Sequence, residues 1–172
     1  MEIFLHNFVF KSWGEVYLGY KMNWLQPKLI LDYCLQKKIK SCDKGRYVAL
    51  SNALDESLYE FLELIKKYVI QDKNTPIIKN EDERENTMDY IPGEYWEVWK
   101  LEFLLRVVKN TSSIEERSEK IYELFYRFNF PNDWQSFIIY SSIYPKASLK
   151  ELDSNMYKYL EKKIEALAPS HT

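Results

Sequence analysis

The sequence predicts an all-α protein, one domain of six or seven helices. Three observations carry that expectation. Apolar residues recur every three or four positions through most of the chain, the spacing that gathers them on one helix face. Hydroxyl and carboxyl residues stand just before those runs, where a helix start needs acceptors for its unpaired N–H groups. Only 4 of the 172 residues are Gly, so tight hairpins and phosphate-cradling turns, which need positive φ, have little material.

Ser12-Trp13-Gly14-Glu15 has capping-box spacing and opens a short helix carrying Val16, Tyr17 and Tyr20. Residues 23–26 connect it to a second helix, which begins with Pro27 at a position that tolerates proline. Ile30, Tyr33 and Cys34 form its stripe, and Lys37, Lys38 and Lys40 place cations at an expected end near residue 40. Ser41 to Arg46 reads as a loop broken by Gly45, and residues 47–53 fit either a short helix or a strand. Asp55 caps a longer helix holding Leu58, Phe61, Leu62, Ile65 and Val69. Residues 71–91 lose periodicity and read as a polar acidic loop.

Ile91-Pro92 restarts helix through Lys109. Trp96, Trp99, Phe103 and Val107 lie on one face and Val98, Leu101, Leu105 and Val108 on another, so this helix is contacted from several sides. Ser113 caps the next helix, with Ile121, Leu124, Phe125 and Phe128, and Pro131 ends it. Asn132-Asp133 caps a shorter element to about residue 140, where Ile138-Ile139-Tyr140 has strand propensity but no evident partner strand. Ser148 opens a last helix to about Leu167, with Leu149, Leu152, Met156, Leu160 and Ile164 in register.

Composition narrows the chemistry. A net charge of −2 argues against a chain that binds nucleic acid along its whole surface. Two cysteines, Cys34 and Cys42, are too few for a disulfide framework or a four-ligand zinc site. Cys34, inside a helix, reads as a small core residue rather than a redox centre. The only histidines, His6 and His171, lie near the ends, so neither a metal site nor a base for a nucleophilic Ser or Cys is expected. No cofactor motif occurs. No signal-like N-terminus and no long uncharged apolar run appear, so the expectation is a cytoplasmic protein without membrane or nucleic-acid partners.

Two charged segments stand out. Lys37, Lys38, Lys40, Lys44 and Arg46 form a basic cluster that solvation and the helix dipole suffice to explain. From Lys79 to Glu102 there are eight acids against three bases, a local −5 that leaves +3 on the rest of the chain. Aromatics are interleaved there: Tyr90, Tyr95, Trp96 and Trp99. A mobile polar loop leading into a core helix would account for it, with Glu94 suited to the helix's positive end. A surface for a basic protein partner would too, since aromatics supply anchor area and acids steer a cation. On that reading the partner-binding residues are Glu81, Asp82, Glu83, Glu85, Asp89, Tyr90, Glu94, Tyr95 and Glu97.

Ser12-Trp13, Val16 to Tyr20 and Asn23 to Pro27 together resemble the opening of an uncharacterised bacterial family that reads W-x-x-I/V-Y-x-G-Y-x-x-x-W-L-x-P. Residues 96–104 and 121–131 are similar to its central aromatic helix and to a following aromatic-and-proline segment. The resemblance implies a small helical cytoplasmic protein associated with toxin–immunity loci, including contact-dependent growth inhibition, and it offers no catalytic residues. The motif's Trp13, Tyr17, Tyr20 and Trp24 read as packing residues. The expectation is an immunity protein that occludes the active site of a cognate toxin, a nuclease with a basic cleft, through an acidic surface. The alternatives are an enzyme with a carboxylate site at Glu94, Glu97 and Glu102, or a helical adaptor for another protein.

Overall fold

A computed structural model describes residues 9–73, 93–143 and 145–167. Among them there are seven α-helices and one 3₁₀ helix: α1 (Trp13–Lys21), α2 (Pro27–Leu35), α3 (Lys44–Glu56), α4 (Leu58–Lys73), α5 (Gly93–Asn110), α6 (Ile114–Arg127), the 3₁₀ helix Asn132–Phe137, and α7 (Leu149–Leu167). The described residues hold no strand, only an isolated parallel bridge between Phe10 and Ile39. The all-α expectation holds. The chain divides into two compact units, residues 1–99 and 100–172, with the division inside α5.

In the first unit the capping box forms as the sequence spells it. Glu15 Oε1 accepts the Ser12 N–H at 3.1 Å and that of Lys11 at 2.7 Å. Asp72 of α4 adds a carboxylate at the same helix start, accepting the Trp13 N–H at 3.0 Å, a charge that the positive end of the dipole favours. Trp13, Val16, Leu18, Leu25, Ile30, Leu50, Phe61 and Ile65 make the core, with Tyr95 and Trp99 from the start of α5. Two glycines admit those rings. A Cβ on Gly14 would lie 2.1 Å from the Tyr95 ring, and one on Gly19 would lie 2.3 Å from the Trp99 ring. The Trp99 indole N–H donates to the Glu15 carbonyl at 2.9 Å, and Phe10 and Trp24 flank its ring at 5.6 and 5.1 Å.

With the glycines so employed, other residues terminate the helices. Asn23 (φ 64°), Lys37 (57°) and Asn129 (59°) take the left-handed position after α1, α2 and α6. In each case the two N–H groups that follow the helix bond back in the Schellman pattern: Asn23 to Tyr20 and Trp24 to Gly19, Lys37 to Cys34 and Lys38 to Tyr33, Asn129 to Tyr126 and Phe130 to Phe125. The side-chain contact that accompanies the motif is there twice, as Lys38 over the Tyr33 ring and Phe130 against Phe125.

Several boundaries differ from expectation. α2 ends at Leu35 because Lys37 reverses the chain, so Lys38 and Lys40 lie beyond it. Asp43 accepts the Arg46 N–H at 2.8 Å and starts α3 at Lys44, which makes Gly45 helical and settles residues 47–53 as helix. Asp55 sits inside α3. The cap of α4 is Ser57, whose Oγ accepts the Glu60 N–H at 3.1 Å. Residues 71–73 of the expected loop close α4, and 74–91 lie outside the described residues.

In the second unit Ser113 and Ser148 cap α6 and α7 as expected. Residues 138–140 form no strand. Asp133 does not cap the 3₁₀ helix; its carboxylate accepts the Tyr159 hydroxyl at 2.6 Å. A chain of rings fills the interior, Phe103 to Phe128 to Trp134 to Phe137 to Tyr159, with centroids 5.1–6.1 Å apart. Arg117 reaches from α6 to α7 and grips Asp153 through two bonds of 2.6 and 2.9 Å, which hold its guanidinium above its ordinary pKa.

Candidate functional site

Of the residues expected to meet a partner, Glu81, Asp82, Glu83, Glu85, Asp89 and Tyr90 lie outside the described residues, as do His6 and His171. Glu94 is exposed and Glu97 half-buried on the first turns of α5. Tyr95 is a correction: its ring is 1% exposed and lies over Gly14, so it packs the first unit and offers no surface anchor. Its period explains this, because Tyr95 shares a face with Trp99, four positions on.

The three carboxylates weighed as a catalytic set have unlike surroundings. Glu94 faces solvent, whereas Glu102 is fully buried and accepts a 3.2 Å bond from Arg106 Nε one turn along its own helix. Among the described residues no three His, Cys, Asp or Glu side chains come together as a metal site. The basic cluster is partly consumed within the first unit. Arg46 pairs with Asp72 at 3.3 Å and stacks 4.4 Å over Tyr68, and Lys38 covers Tyr33.

A surface that sequence reading had not selected lies on α6. Glu115, Glu119, Tyr122 and Tyr126 are spaced i, i+4, i+7 and i+11, which at 3.6 residues per turn keeps them on one stripe. This stripe borders the face of the buried Ile121, Leu124 and Phe125, with the half-buried Tyr122 at the edge, its ring 6.4 Å from that of Phe125. Its acids gather at the N-terminal end, where Glu115, Glu116 and Glu119 edge a depression of about 370 Å³ with Ser118, Ile139, Tyr140 and Leu149. Its aromatics gather toward the C-terminal end. Tyr126 is 69% exposed and Phe130 50% exposed, their rings edge-on at 5.2 Å. Tyr140, 79% exposed, sets its ring edge against Tyr122 at 5.5 Å.

Two of these aromatics stand on unusual backbone. Phe130 (φ 59°) and Tyr140 (φ 62°) are both left-handed, a conformation that a bulky L-residue adopts only at a cost of roughly 1–2 kcal/mol. Both project apolar rings into solvent. Electrostatically the face is acidic: α6 carries four glutamates, and of its three cations Arg117 is bound to Asp153. The arrangement can present anchor rings and a negative rim to a cationic surface. The signal was present in the sequence as a second stripe on the helix, masked by the stronger apolar one.

No helix among the described residues is long and apolar enough to cross a membrane. Residues 1–164 match the model of a family described as an uncharacterized protein conserved in bacteria (DUF2247), and the chain belongs to that family. No curated protein and no solved structure matches it.

Proposed function

We propose that this protein is an immunity protein: a binding module that docks on a cognate bacterial toxin domain and covers its active site. The observation that carries the reading is the α6 surface, where Glu115, Glu119 and the exposed Tyr126 share one helix face and two further exposed aromatics, Phe130 and Tyr140, follow the helix on left-handed backbone. An acidic surface fits the basic cleft of a nuclease by standing in for phosphate, which favours a nuclease toxin over other classes. The acids Glu81, Asp82, Glu83, Glu85, Asp89, Glu94 and Glu97, with Tyr90, supply a second acidic segment of the same character. The sequence resemblance to proteins of toxin–immunity loci supports the same reading, and the site would lie in the cytoplasm, where such a toxin acts.

The test is co-expression with the product of the adjacent upstream gene. A 1:1 complex and rescued growth are expected, with affinity falling at high salt because exposed charges are screened. Charge reversal of Glu115 and Glu119 to Lys, and separately of Glu83, Glu85 and Asp89, ranks the two acidic segments. Unchanged affinity in both sets overturns the acidic-surface assignment. A stable complex with a neighbour that is not toxic to cells points instead to an adaptor.

A further inference from the structure

The depression at the start of α6 gathers groups that the fold itself does not use. Glu115, Glu116 and Glu119 border it, all three are exposed, and among the described residues none forms an ion pair. The positive end of the helix dipole suits Glu115 and Glu116, which stand in the first turn. Glu119 lies a turn further on, where that field has fallen off. Between them is Ser118, only 7% exposed, whose hydroxyl has no hydrogen-bond partner among the described residues. Other buried hydroxyls of the same unit are engaged: Thr111 donates to the Val107 carbonyl at 2.6 Å, and Ser141 donates to Gln135 at 2.9 Å. A buried polar group left unmatched costs stability, and Ser118 is on the wall of this depression.

The remaining wall is apolar and aromatic. Ile139 is buried, Leu149 opens α7 half-exposed, and Tyr140 stands largely in solvent on its left-handed backbone. Tyr122 braces the Tyr140 ring edge-on at 5.5 Å. Because Tyr122 and Ser118 are four positions apart on α6, that ring is held about one turn along from the free hydroxyl.

We propose that this depression seats one arginine side chain of the bound partner, an inference that rests on the immunity reading for who the partner is. Its guanidinium lies among the carboxylates and the Ser118 oxygen, its methylene stem on Ile139 and Leu149, and its plane against the Tyr140 ring. A volume of about 370 Å³ is at the small end of ligand sites, which run from roughly 300 to 1,000 Å³, so it admits one long side chain rather than a folded segment. Three carboxylates call for a cation. Arginine suits them better than lysine, because its acceptors here come from several positions around a helix and one is an aromatic face. A guanidinium carries five donors in one plane, sheds water readily and stacks on rings, whereas an ammonium is compact and strongly hydrated. It has no acceptor of its own, so Ser118 meets it through the oxygen. A cleft that binds phosphate is rich in such arginines, and engaging one of them is how the α6 surface would block it.

The experiment titrates the isotope-labelled, full-length protein with Nα-acetylarginine amide and, separately, with Nα-acetyllysine amide, following backbone amide shifts. Shifts are expected at residues 115–119, 139–140 and 149, with arginine bound roughly threefold tighter than lysine. Glu119→Gln and Tyr140→Ala, both at exposed positions, should each weaken arginine binding roughly threefold and leave the denaturation midpoint where it is. Ser118→Ala separates ligand contact from structure. With no hydrogen bond to lose, it should keep or raise the midpoint while arginine binding weakens. Equal affinity for the two probes, shifts spread over the other glutamates of the chain, binding unchanged in all three variants, or a lowered midpoint in Ser118→Ala would each overturn the proposal. If the arginine probe binds here and the upstream gene product forms no complex, the site stands and the immunity reading falls. A toxin complex whose affinity ignores Ser118→Ala and Tyr140→Ala keeps that reading and removes this site.

Discussion

The two units use aromatic residues differently. In residues 10–99, Phe10, Trp13, Tyr95 and Trp99 are each within 1% of complete burial, and two glycines on α1 are spaced to receive the last two. In residues 100–172 a ring chain passes through the buried Trp134 and Phe137, while Tyr126, Phe130 and Tyr140 stand half or more exposed. Among the described residues the first unit leaves one ring more than half exposed, Tyr59 at 68%, whereas the second leaves three that are half or more exposed and near one another in sequence. Burial of a Trp or Phe stabilises by kilocalories, so a chain that leaves three large rings outside, two of them on left-handed backbone, forgoes stability at that surface. Such positions are where binding residues tend to be found.

The largest expected effect breaks the first half of that comparison. Trp99→Ala removes a ring that contacts Phe10 and Trp24 and leaves the Glu15 carbonyl without its indole donor. It should destabilise by about 3–5 kcal/mol, read as a fall in the chemical denaturation midpoint. Tyr126→Ala, 69% exposed, should cost under about 1 kcal/mol while weakening the partner complex. A stability loss at Tyr126 equal to that at Trp99 would mean the α6 rings are core after all.

A smaller effect sharpens the role of glycine. Gly19→Ala, or Gly14→Ala, drives a methyl into a buried ring and should cost about 1–3 kcal/mol, even though alanine favours helix by about 1 kcal/mol. Gly45→Ala is the control. Its Cβ would come no nearer than 3.4 Å to Asp43 Oδ1, so the propensity gain should appear as stabilisation of roughly 0.5–1 kcal/mol. If all three substitutions stabilise, the rings are not seated on α1 as described.

These sites also show what could be read in advance. Ser12, Ser113 and Ser148 are legible because a hydroxyl three residues before a free N–H makes a local bond, indifferent to the rest of the fold. Asp55 misled for the opposite reason: it resembles a cap, but α3 runs through it to Ser57. Tyr95 sits among acids in sequence, and only the notch at Gly14, eighty-one positions earlier, makes it a core residue. The α6 surface required knowing which of two stripes would be covered, and that is decided by Arg117 reaching Asp153 and by Phe125 and Leu124 turning inward.

The smallest effect tests what the units share, their glycine-free helix ends. Lys37 and Asn129 are both exposed and both left-handed, one in each unit. Glycine adopts that conformation freely, but it also widens the unfolded ensemble, so only the difference is gained. Lysine suffers the full steric conflict, whereas asparagine tolerates this region better. Lys37→Gly should therefore stabilise by about 1 kcal/mol and Asn129→Gly by roughly half as much, both read from denaturation midpoints. The ordering is the informative part. If Asn129→Gly gains more than Lys37→Gly, the strain at the end of α6 exceeds what Asn129 alone contributes. The excess would then lie in Phe130 beside it, whose left-handed backbone is relieved only when its neighbour yields, and the exposed ring would be held outward against a measurable restoring force.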